Sequence, residues 1–166
     1  MRVYGRKTKS KWCTDVTEFK YGNGKKAYLS VIIDYDKSIV SYVLGHSNNN
    51  ALVFKTVRPA IEQLSSDAFS LLHSDRGYQY TSKEFKRIIT EAKLTHSMSR
   101  VGRCFDNGPI EAFWGTLKVE KYLLHKFETY EALKHASDTY IRFYNNERYQ
   151  ETLNGLSPLE FRSQAA

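Results

Sequence analysis

Three strand-like segments at the beginning of the chain constrain the fold more than any other feature. Residues 12–19 alternate apolar and polar side chains, residues 27–33 are almost continuously apolar, and residues 39–44 form a third such segment. Only short turns rich in Gly, Asn and Asp separate them, so the three strands are expected to form an antiparallel meander. The continuous apolar run is typical of a strand buried on both faces and predicts a central position for the second strand.

After residue 46 the pattern changes to alternating helices and strands. The predicted elements are a helix capped within Ser47–Asn50 and containing Pro59, a strand over 69–73, a helix capped by Thr81 or Ser82, a strand over 94–98, and helices from Asp106 to about Asn146 with a break near 126–128. The order β-β-β-α-β-α-β-α-α predicts an α/β fold, in which a mixed five-stranded sheet carries helices on both faces.

A chain of 166 residues is long enough for one domain with a sizeable core. We divide it into a basic N-terminal arm or linker (1–11), a core (12–146) and a C-terminal tail segment (147–166). Cys13 and Cys104 form neither a disulfide framework nor a zinc-binding spacing. No apolar stretch is long enough to span a membrane or to act as a secretory signal, so a cytoplasmic protein is expected.

Positive charge is concentrated in the arm. The chain carries a net charge of +7, and five of its 25 basic residues lie among the first eleven residues, where there is no acid. The arm residues Arg6, Lys7 and Lys9 are therefore candidates for contact with a polyanion such as DNA. The alternative is a solvated tail that only aids solubility.

Three acidic residues stand at positions suited to a shared site. Asp15 lies in the first strand, Asp75 follows the fourth strand, and Glu111 lies in the first turns of the helix that starts near Asp106. Ligands commonly bind at the carboxyl ends of strands in open sheets, which favours a functional role for Asp75. Structural alternatives remain for each acid: an exposed strand position, a turn-initiating aspartate and a helix-dipole partner, respectively.

A helical wheel of the segment after Asp106 separates a core stripe from a polar line. Ile110, Phe113, Trp114 and Leu117 form the apolar stripe, whereas Asn107, Glu111 and Lys118 lie together along its flank. Lys118 could thus contact a DNA phosphate near the carboxylates, and Asn107 on the same line and Arg103 in the preceding loop are further candidates for DNA contact. The alternative for Lys118 is an ordinary solvated lysine.

Several motifs occur in order along nearly the whole chain, from about residue 10 to 163. They are Trp12-x-Thr14-Asp15-x-Thr17, then His73-Ser74-Asp75-x-Gly77-x-Gln79-Tyr80, then Asp106-Asn107-x-x-x-Glu111-x-Phe113-x-x-x-Leu117-Lys118-x-Glu120, and finally Tyr144-Asn145-x-x-Arg148 with Gly155-x-Ser157-Pro158-x-Glu160-Phe161. Together they resemble the integrase-type catalytic core of bacterial insertion-sequence transposases, most closely the insertion sequence three family.

The resemblance implies a ribonuclease H-like fold and a DDE triad formed by Asp15, Asp75 and Glu111. It implies two Mg²⁺ ions, for which Mn²⁺ can substitute, with Asp15 bridging both ions and each of the other acids holding one. The implied activity is DNA strand cleavage and strand transfer in transposition and integration. The implied partners are insertion-sequence ends, target DNA and further copies of the chain, in a cytoplasmic, nucleoid-associated protein.

The chain also departs from the family pattern. Members usually carry a helix-turn-helix region upstream, whereas almost nothing precedes the first strand here, so an upstream DNA-binding partner or a missing N-terminal region is expected. Two alternative functions stay open. One is a catalytically idle truncated transposase that binds DNA or dimerises, and the other is a nuclease on the same fold.

Overall fold

A mixed five-stranded sheet forms the centre of the structure, a computed structural model that describes residues 10–64, 70–99 and 108–165. The sheet has the order β3-β2-β1-β4-β5, with β1 antiparallel to β2, β2 antiparallel to β3, and parallel pairing of β1 with β4 and of β4 with β5. The strand bounds are β1 Lys11–Tyr21, β2 Lys25–Asp34, β3 Ile39–Gly45, β4 Leu71–Ser74 and β5 Thr95–Met98. This topology confirms the predicted meander followed by parallel crossovers.

The middle position in the sheet belongs to β1 rather than to the more apolar β2. The β2 strand is interior, as its sequence predicts, but only β1 joins the antiparallel half of the sheet to the parallel half. The β1 strand also begins at Lys11, inside the segment assigned to the basic arm. Lys11 pairs with Leu71, and its carbonyl oxygen accepts a hydrogen bond from the Tyr35 backbone N–H at 2.9 Å, so sheet pairing extends the strand by one residue.

Six α-helices accompany the sheet in the described ranges. Their bounds are α1 Asn50–Glu62, α2 Tyr78–Thr81, α3 Lys83–Glu91, α4 Gly108–Leu117, α5 Tyr130–Asn146 and α6 Pro158–Ala165. Pro59 lies inside α1, as predicted. A π-helical turn, Lys118–Tyr122, follows α4 directly, and the predicted break near 126–128 falls between this turn and α5. No helix in these ranges is both long and apolar enough to cross a bilayer.

Side-chain caps fix where two of these helices begin. The Asn49 side chain accepts a hydrogen bond from the Leu52 backbone N–H at 3.0 Å, and Ser82 accepts one from Phe85 at 3.2 Å. The structure thereby selects Asn49 from the predicted capping run and Ser82 from the predicted pair. Each oxygen satisfies a backbone donor that has no partner within its helix.

Removing the α1 cap should destabilise the protein measurably. We expect Asn49→Ala to lower the free energy of unfolding by about 1 kcal/mol, since an unpaired N–H then remains at the helix start. Chemical denaturation of the wild type and the variant measures this loss. Ser47→Ala is the matched control, because Ser47 is exposed and lies two residues before the cap. Equal losses in both variants would contradict the assignment of Asn49 as the cap.

Two hydrophobic clusters cover the two faces of the sheet. Alternate residues of β2 enter opposite clusters: Val31 and Ile33 pack with α4 and α5, whereas Ile32 packs with α1 and α3. On β1, Cys13 belongs to the first cluster and Trp12 to the second. The helices therefore lie on both faces, as predicted, and α4 packs on the face that Cys13 shares.

The C-terminal segment contacts the rest of the domain at several points. The Arg162 guanidinium lies 3.2 Å from Ser38 Oγ and 3.8 Å from an Asp36 carboxylate oxygen, which places α6 beside the β2–β3 turn. At the start of α6, the Ser157 backbone N–H donates to Glu160 at 2.9 Å and Ser157 Oγ accepts from the Glu160 N–H at 3.4 Å. This reciprocal pair is a capping box that starts the last helix.

Candidate active site

Asp15 and Asp75 lie at matching positions beyond the paired region of β1 and β4. The last residue pair in this parallel register is Cys13 with His73, and each aspartate follows its member of the pair by two residues. Side chains along a strand return to the same face after two residues, so Asp15 shares the face of Cys13, on which α4 packs. The register therefore brings two acids that are 60 positions apart to the carboxyl end of β4, beside the interior of β1.

The Asp15 carboxylate is partly buried and held by an indole. Trp114 Nε1 donates a hydrogen bond to Asp15 Oδ2 at 3.1 Å. Burial raises the pKa of Asp15 above its ordinary value, the Trp114 hydrogen bond opposes that rise, and the negative charges of Asp75 and Glu111 add to it. Both of the other acids are therefore near enough to act electrostatically on Asp15.

A tight turn fixes the Asp75 side chain. The Gly77 backbone N–H donates to Asp75 Oδ1 at 2.7 Å, and the Ser74 hydroxyl donates to the Asp75 carbonyl oxygen at 2.8 Å. The buried Gln79 side chain that follows donates to Asn48 Oδ1, which ties this turn to the loop before α1. Hydrogen bonds within the turn and to the loop before α1 thus hold Asp75 in place. This structural role is compatible with a functional one.

A methyl group at Gly77 should disturb this arrangement without unfolding the protein. A Cβ there would lie 3.0 Å from Asp75 Oδ1 and 2.9 Å from Gln79 Oε1, both at the ends of side chains that can move. We expect Gly77→Ala to displace the Asp75 carboxylate and to reduce any metal-dependent activity about tenfold or more, with little change in thermal stability.

Gly115→Ala is the matched control for that substitution. Gly115 lies in α4, and a Cβ there would meet no atom within 4 Å. It should therefore keep activity and raise stability by up to about 1 kcal/mol through helix propensity. Wild-type activity in Gly77→Ala would contradict the importance of the Asp75 position.

Glu111 lies in α4, and its charge acts on Asp15. It is exposed in the first turn of the helix, while Ile110, Phe113 and Leu117 bury the opposite side against the sheet. The predicted apolar stripe of α4 is therefore confirmed. Trp114 belongs to the same stripe and lies three residues after Glu111, so one turn of the helix carries both a carboxylate and the indole N–H that reaches Asp15.

His73 and Cys13 have structural roles. His73 is buried, with Nδ1 lying 3.0 Å from Ser97 Oγ and Nε2 3.0 Å from Ser99 Oγ. Cys13 is fully buried in the core cluster that contains α4, and burial raises the pKa of its thiol to about 11. A neutral, inaccessible thiol is unsuited to nucleophilic catalysis.

Asp15, Asp75 and Glu111 match a divalent metal in donor type but do not form a preformed cage. Carboxylate oxygens are the ligands that Mg²⁺ prefers. Within residues 10–64, 70–99 and 108–165, however, no three Asp, Glu, His or Cys side chains are gathered closely enough to hold a metal ion. The charges of Asp75 and Glu111 nevertheless act on Asp15 and add to the rise in its pKa that burial causes.

The predicted DNA-contacting residues fall mostly outside the described ranges. Lys118 is described: it is half-buried and is the first residue of the π-helical turn, so regular α-helical geometry ends just before it. The other candidates, Arg6, Lys7, Lys9, Arg103 and Asn107, lie outside the described residues, as do Asp106 and Cys104.

The partner of Asp15 was missed by the sequence analysis, which assigned Trp114 only to the core. Trp114 is 7% exposed, so its ring is buried as expected, but its N–H still requires an acceptor. A buried Trp beside the polar line of α4 was therefore an available signal. A second missed pair, Gln79 with Asn48, joins two loops and has no signal in local spacing.

Comparisons with known proteins agree with this architecture. Residues 5–104 match the family described as integrase core domain, and residues 111–165 match a second family with the same description. The chain is 41% identical over 155 residues to the putative transposase InsK for insertion sequence element IS150 of Escherichia coli, covering 93% of this chain and 54% of that protein. It is 42% identical over 156 residues to an uncharacterised transposase-like protein of Haemophilus influenzae, covering 93% and 71%.

Solved structures share the fold. The catalytic core domain of HTLV-2 integrase in complex with magnesium superposes with a TM-score of 0.70 at 22% identity, covering 94% of this chain and 99% of that one. The catalytic domain of Mos1 mariner transposase gives a TM-score of 0.62 at 14% identity, covering 80% and 69%. These likenesses confirm the predicted ribonuclease H-like fold.

Proposed function

The chain belongs to the integrase core domain family, and from that membership we propose that it catalyses metal-dependent cleavage and joining of DNA strands. The proposal concerns chemistry at Asp15, Asp75 and Glu111, as expected for the core of an insertion-sequence transposase. The chain spans about half the length of InsK, its relative from Escherichia coli.

The proposal is supported by the positions of three acids, which lie on or directly after two neighbouring strands and on the helix packed against that face of the sheet. Asp15 lies on the middle strand, Asp75 lies beyond the neighbouring parallel strand at the same register, and Glu111 lies on the helix packed over that face. A separate structural explanation of each acid does not account for the effect of two of these charges on the third. The charges of Asp75 and Glu111 both act on Asp15.

We propose that Asp15, Asp75 and Glu111 hold two divalent ions, with Mg²⁺ as the expected metal and Mn²⁺ as a substitute. Such ions would stabilise negative charge on the attacking and leaving oxygens of an in-line phosphoryl displacement. Asp15, on which the charges of the other two acids both act, would be the residue shared between the ions. No covalent attachment of DNA to the chain is required, and the buried Cys13 thiol takes no part.

The proposed reaction has two steps that use the same carboxylates. In the first, a water oxygen bonds to phosphorus, the bond from phosphorus to the 3′-oxygen breaks, and a proton passes to that oxygen. In the second, the freed 3′-hydroxyl loses its proton and bonds to a target phosphorus, while a target 3′-oxygen leaves and takes a proton. One phosphodiester forms and one breaks, so no external energy source is needed.

A branched DNA substrate tests this chemistry without requiring recognition of an insertion-sequence end. A 3′-hydroxyl is placed next to a phosphodiester branch point, and strand exchange is followed on a gel with Mg²⁺, Mn²⁺ or chelator. Metal-dependent joining supports the proposal. Cleavage without joining indicates a nuclease, whereas DNA binding with neither reaction indicates an idle binding module. Either of these results contradicts strand transfer by this chain.

The basic arm is proposed to dominate nonspecific DNA binding. Deletion should stop at residue 9, because the Ser10 carbonyl oxygen accepts a hydrogen bond from the Leu71 N–H at 2.9 Å and so belongs to the sheet. Removing residues 1–9 eliminates four basic residues and should flatten the log–log dependence of DNA affinity on salt by up to about 3–4 units. Binding of short duplexes across a salt series measures the slope. An unchanged slope would contradict a role for the arm.

Lys118 is proposed to contact a phosphate close to the carboxylates. Lys118→Ala should change the salt slope by no more than about one unit, yet reduce joining at saturating DNA because a misplaced phosphate weakens in-line attack. Lys121→Ala is the matched control, since Lys121 lies in the same π-helical turn and faces the open cavity beside Tyr140. Single-turnover joining compares the two variants. Equal joining by both would contradict the assignment of Lys118.

The expected partners follow from the same proposal. We propose that the chain works as a homo-oligomer on insertion-sequence ends and target DNA, in the nucleoid of a bacterial cytoplasm. The relatives named as transposases and the two superposed catalytic cores support a DNA substrate. A DNA-dependent rise in molecular mass, measured by light scattering, would support oligomer formation.

A further inference from the structure

We propose that Trp114 is a positioning residue that holds the Asp15 carboxylate in the orientation required for metal binding. The inference rests on the proposed function of Asp15. It goes beyond the three acids because Trp114 supplies no metal ligand and acts through one. Its single polar atom, Nε1, lies 3.1 Å from Asp15 Oδ2.

The indole is rigidly held. Trp114 is 7% exposed and packs in the cluster that contains Cys13 and Val31 of the sheet. Its ring also contacts that of Phe113, with centroids 5.4 Å apart. A donor fixed in this way restricts the rotation of the carboxylate that it binds, whereas a donor from solvent does not.

The hydrogen bond leaves Asp15 able to bind a cation. A carboxylate offers about four lone-pair sites, and one N–H occupies one of them. Trp114 also lies one helical turn after Glu111, so the same segment of α4 carries one acid and orients another. The indole thereby connects Asp15 of β1 to α4, the helix that also carries Glu111.

The chain contains a matched control for this pair. Trp12 is the other of the two tryptophans, and its Nε1 donates to Asp34 Oδ2 at 3.2 Å. Trp12 is 2% exposed and belongs to the cluster on the opposite face of the sheet. Trp12→Phe and Trp114→Phe therefore remove the same kind of buried hydrogen bond, but only the second removes it from a proposed metal ligand.

Direct metal binding distinguishes the two variants. The concentration of free Mn²⁺ is measured by electron paramagnetic resonance as protein is added, without DNA. We expect Trp114→Phe to weaken Mn²⁺ binding about 10–100-fold, the range typical for loss of an outer-shell partner. Trp12→Phe should bind Mn²⁺ like the wild type. Circular dichroism establishes that both variants are folded.

A spectroscopic measurement keeps the native Trp114. In Trp12→Phe, Trp114 is the sole tryptophan, so its emission should change when Mg²⁺ binds at Asp15. The change should disappear in the double variant Trp12→Phe/Asp15→Asn. The emission measurement tests the role of Trp114 even when Trp114→Phe does not fold, because Trp12→Phe keeps the native Trp114 indole.

The outcomes separate the positioning role from the proposed function. Wild-type Mn²⁺ affinity in Trp114→Phe, or Trp114 emission that ignores Mg²⁺ in a protein that binds it, overturns the positioning role and leaves the proposed function standing. Absence of metal binding by the wild type, together with absence of joining, overturns both. Weakened binding in Trp114→Phe alone, or an emission change that Asp15→Asn abolishes, supports the positioning role.

Discussion

Asp15→Asn is expected to abolish metal-dependent DNA joining while the protein remains folded. The substitution removes a charged ligand at the place where the charges of Asp75 and Glu111 also act. Two cations without that charge bind poorly, and the charge on the reacting phosphate is then left without compensation. The measurement is joining of the branched substrate with Mg²⁺ and Mn²⁺. Joining at the wild-type rate would remove Asp15 from the mechanism.

The same variant should be at least as stable as the wild type when no metal is present. The folded-state pKa of Asp15 is raised, chiefly by burial, so the ionised carboxylate destabilises the folded state at neutral pH. Asparagine removes that charge and can still accept the Trp114 hydrogen bond. The advantage of Asp15→Asn should shrink as the pH falls through the raised pKa, because the wild-type carboxyl then becomes neutral. Thermal melting across pH measures the difference.

Two acids outside the proposed site provide matched controls for Asp15 and Glu111. Asp34 also accepts a hydrogen bond from a tryptophan, and burial likewise raises its pKa, but its partner Trp12 belongs to the cluster on the opposite face of the sheet. Asp34→Asn should therefore retain joining. Glu131 lies in the first turn of α5, as Glu111 does in α4. If Glu111 served only the helix dipole, Glu111→Gln and Glu131→Gln would have equal effects on joining, whereas we expect loss only in the former.

Phe113→Ala should give the largest loss of stability among these variants. Phe113 is 1% exposed, and its ring lies 4.9 Å from that of Tyr144 in an edge-on contact that joins α4 to α5. Truncating a buried Phe typically lowers the free energy of unfolding by about 3–5 kcal/mol, which in a domain of this size lowers Tm by roughly 6–20 °C. Because α4 carries Glu111, joining should also decline at temperatures where the variant is folded.

Phe143→Ala is the control for the aromatic deletion. Phe143 lies in α5 close to Tyr144, but it is 40% exposed. Its truncation should lower the free energy of unfolding by about 1 kcal/mol or less, as is usual for an exposed site. Phe113→Leu should recover most of the stability that Phe113→Ala loses, because it refills much of the cavity. Equal melting of the two alanine variants would contradict the packing described for α4.

The sequence predicted a strand, or the buried side of a helix, wherever the periodicity of that one element is sufficient to define it. The alternation in residues 12–19 predicted β1, and the stripe of Ile110, Phe113 and Leu117 predicted the buried side of α4. The start of α1 was also predictable, although only the folded structure identifies which residue from Ser47 to Asn50 caps the helix. These features depend on hydrogen bonds and solvent exposure within a few residues.

Long-range polar contacts could not be predicted from spacing. The motif residue Glu120 proves to be held by Arg148 of the C-terminal motif through hydrogen bonds of 2.6 and 2.9 Å, and Tyr140 donates to the same carboxylate at 2.8 Å. The Arg148 guanidinium lowers the pKa of Glu120. Glu120 and Arg148 belong to separate motifs 28 residues apart, so nothing in either motif predicts their contact. The pair forms only because α5 packs beside the π-helical turn. The π-helical turn begins at Lys118, so this last residue of the predicted polar line lies just beyond the regular α-helix.

Patterns along the chain predicted the succession of strands and helices, the helices on both faces of the sheet and the three acids to test. The pairing of Cys13 with His73, which brings Asp15 and Asp75 onto neighbouring strands, and the contact of Trp114 with Asp15 emerged only in the folded structure. In the described residues the three acids do not form a closed cluster, although the charges of Asp75 and Glu111 both act on Asp15. Hydrophobic periodicity is local, whereas strand register and long-range hydrogen bonds depend on residues that only folding brings together.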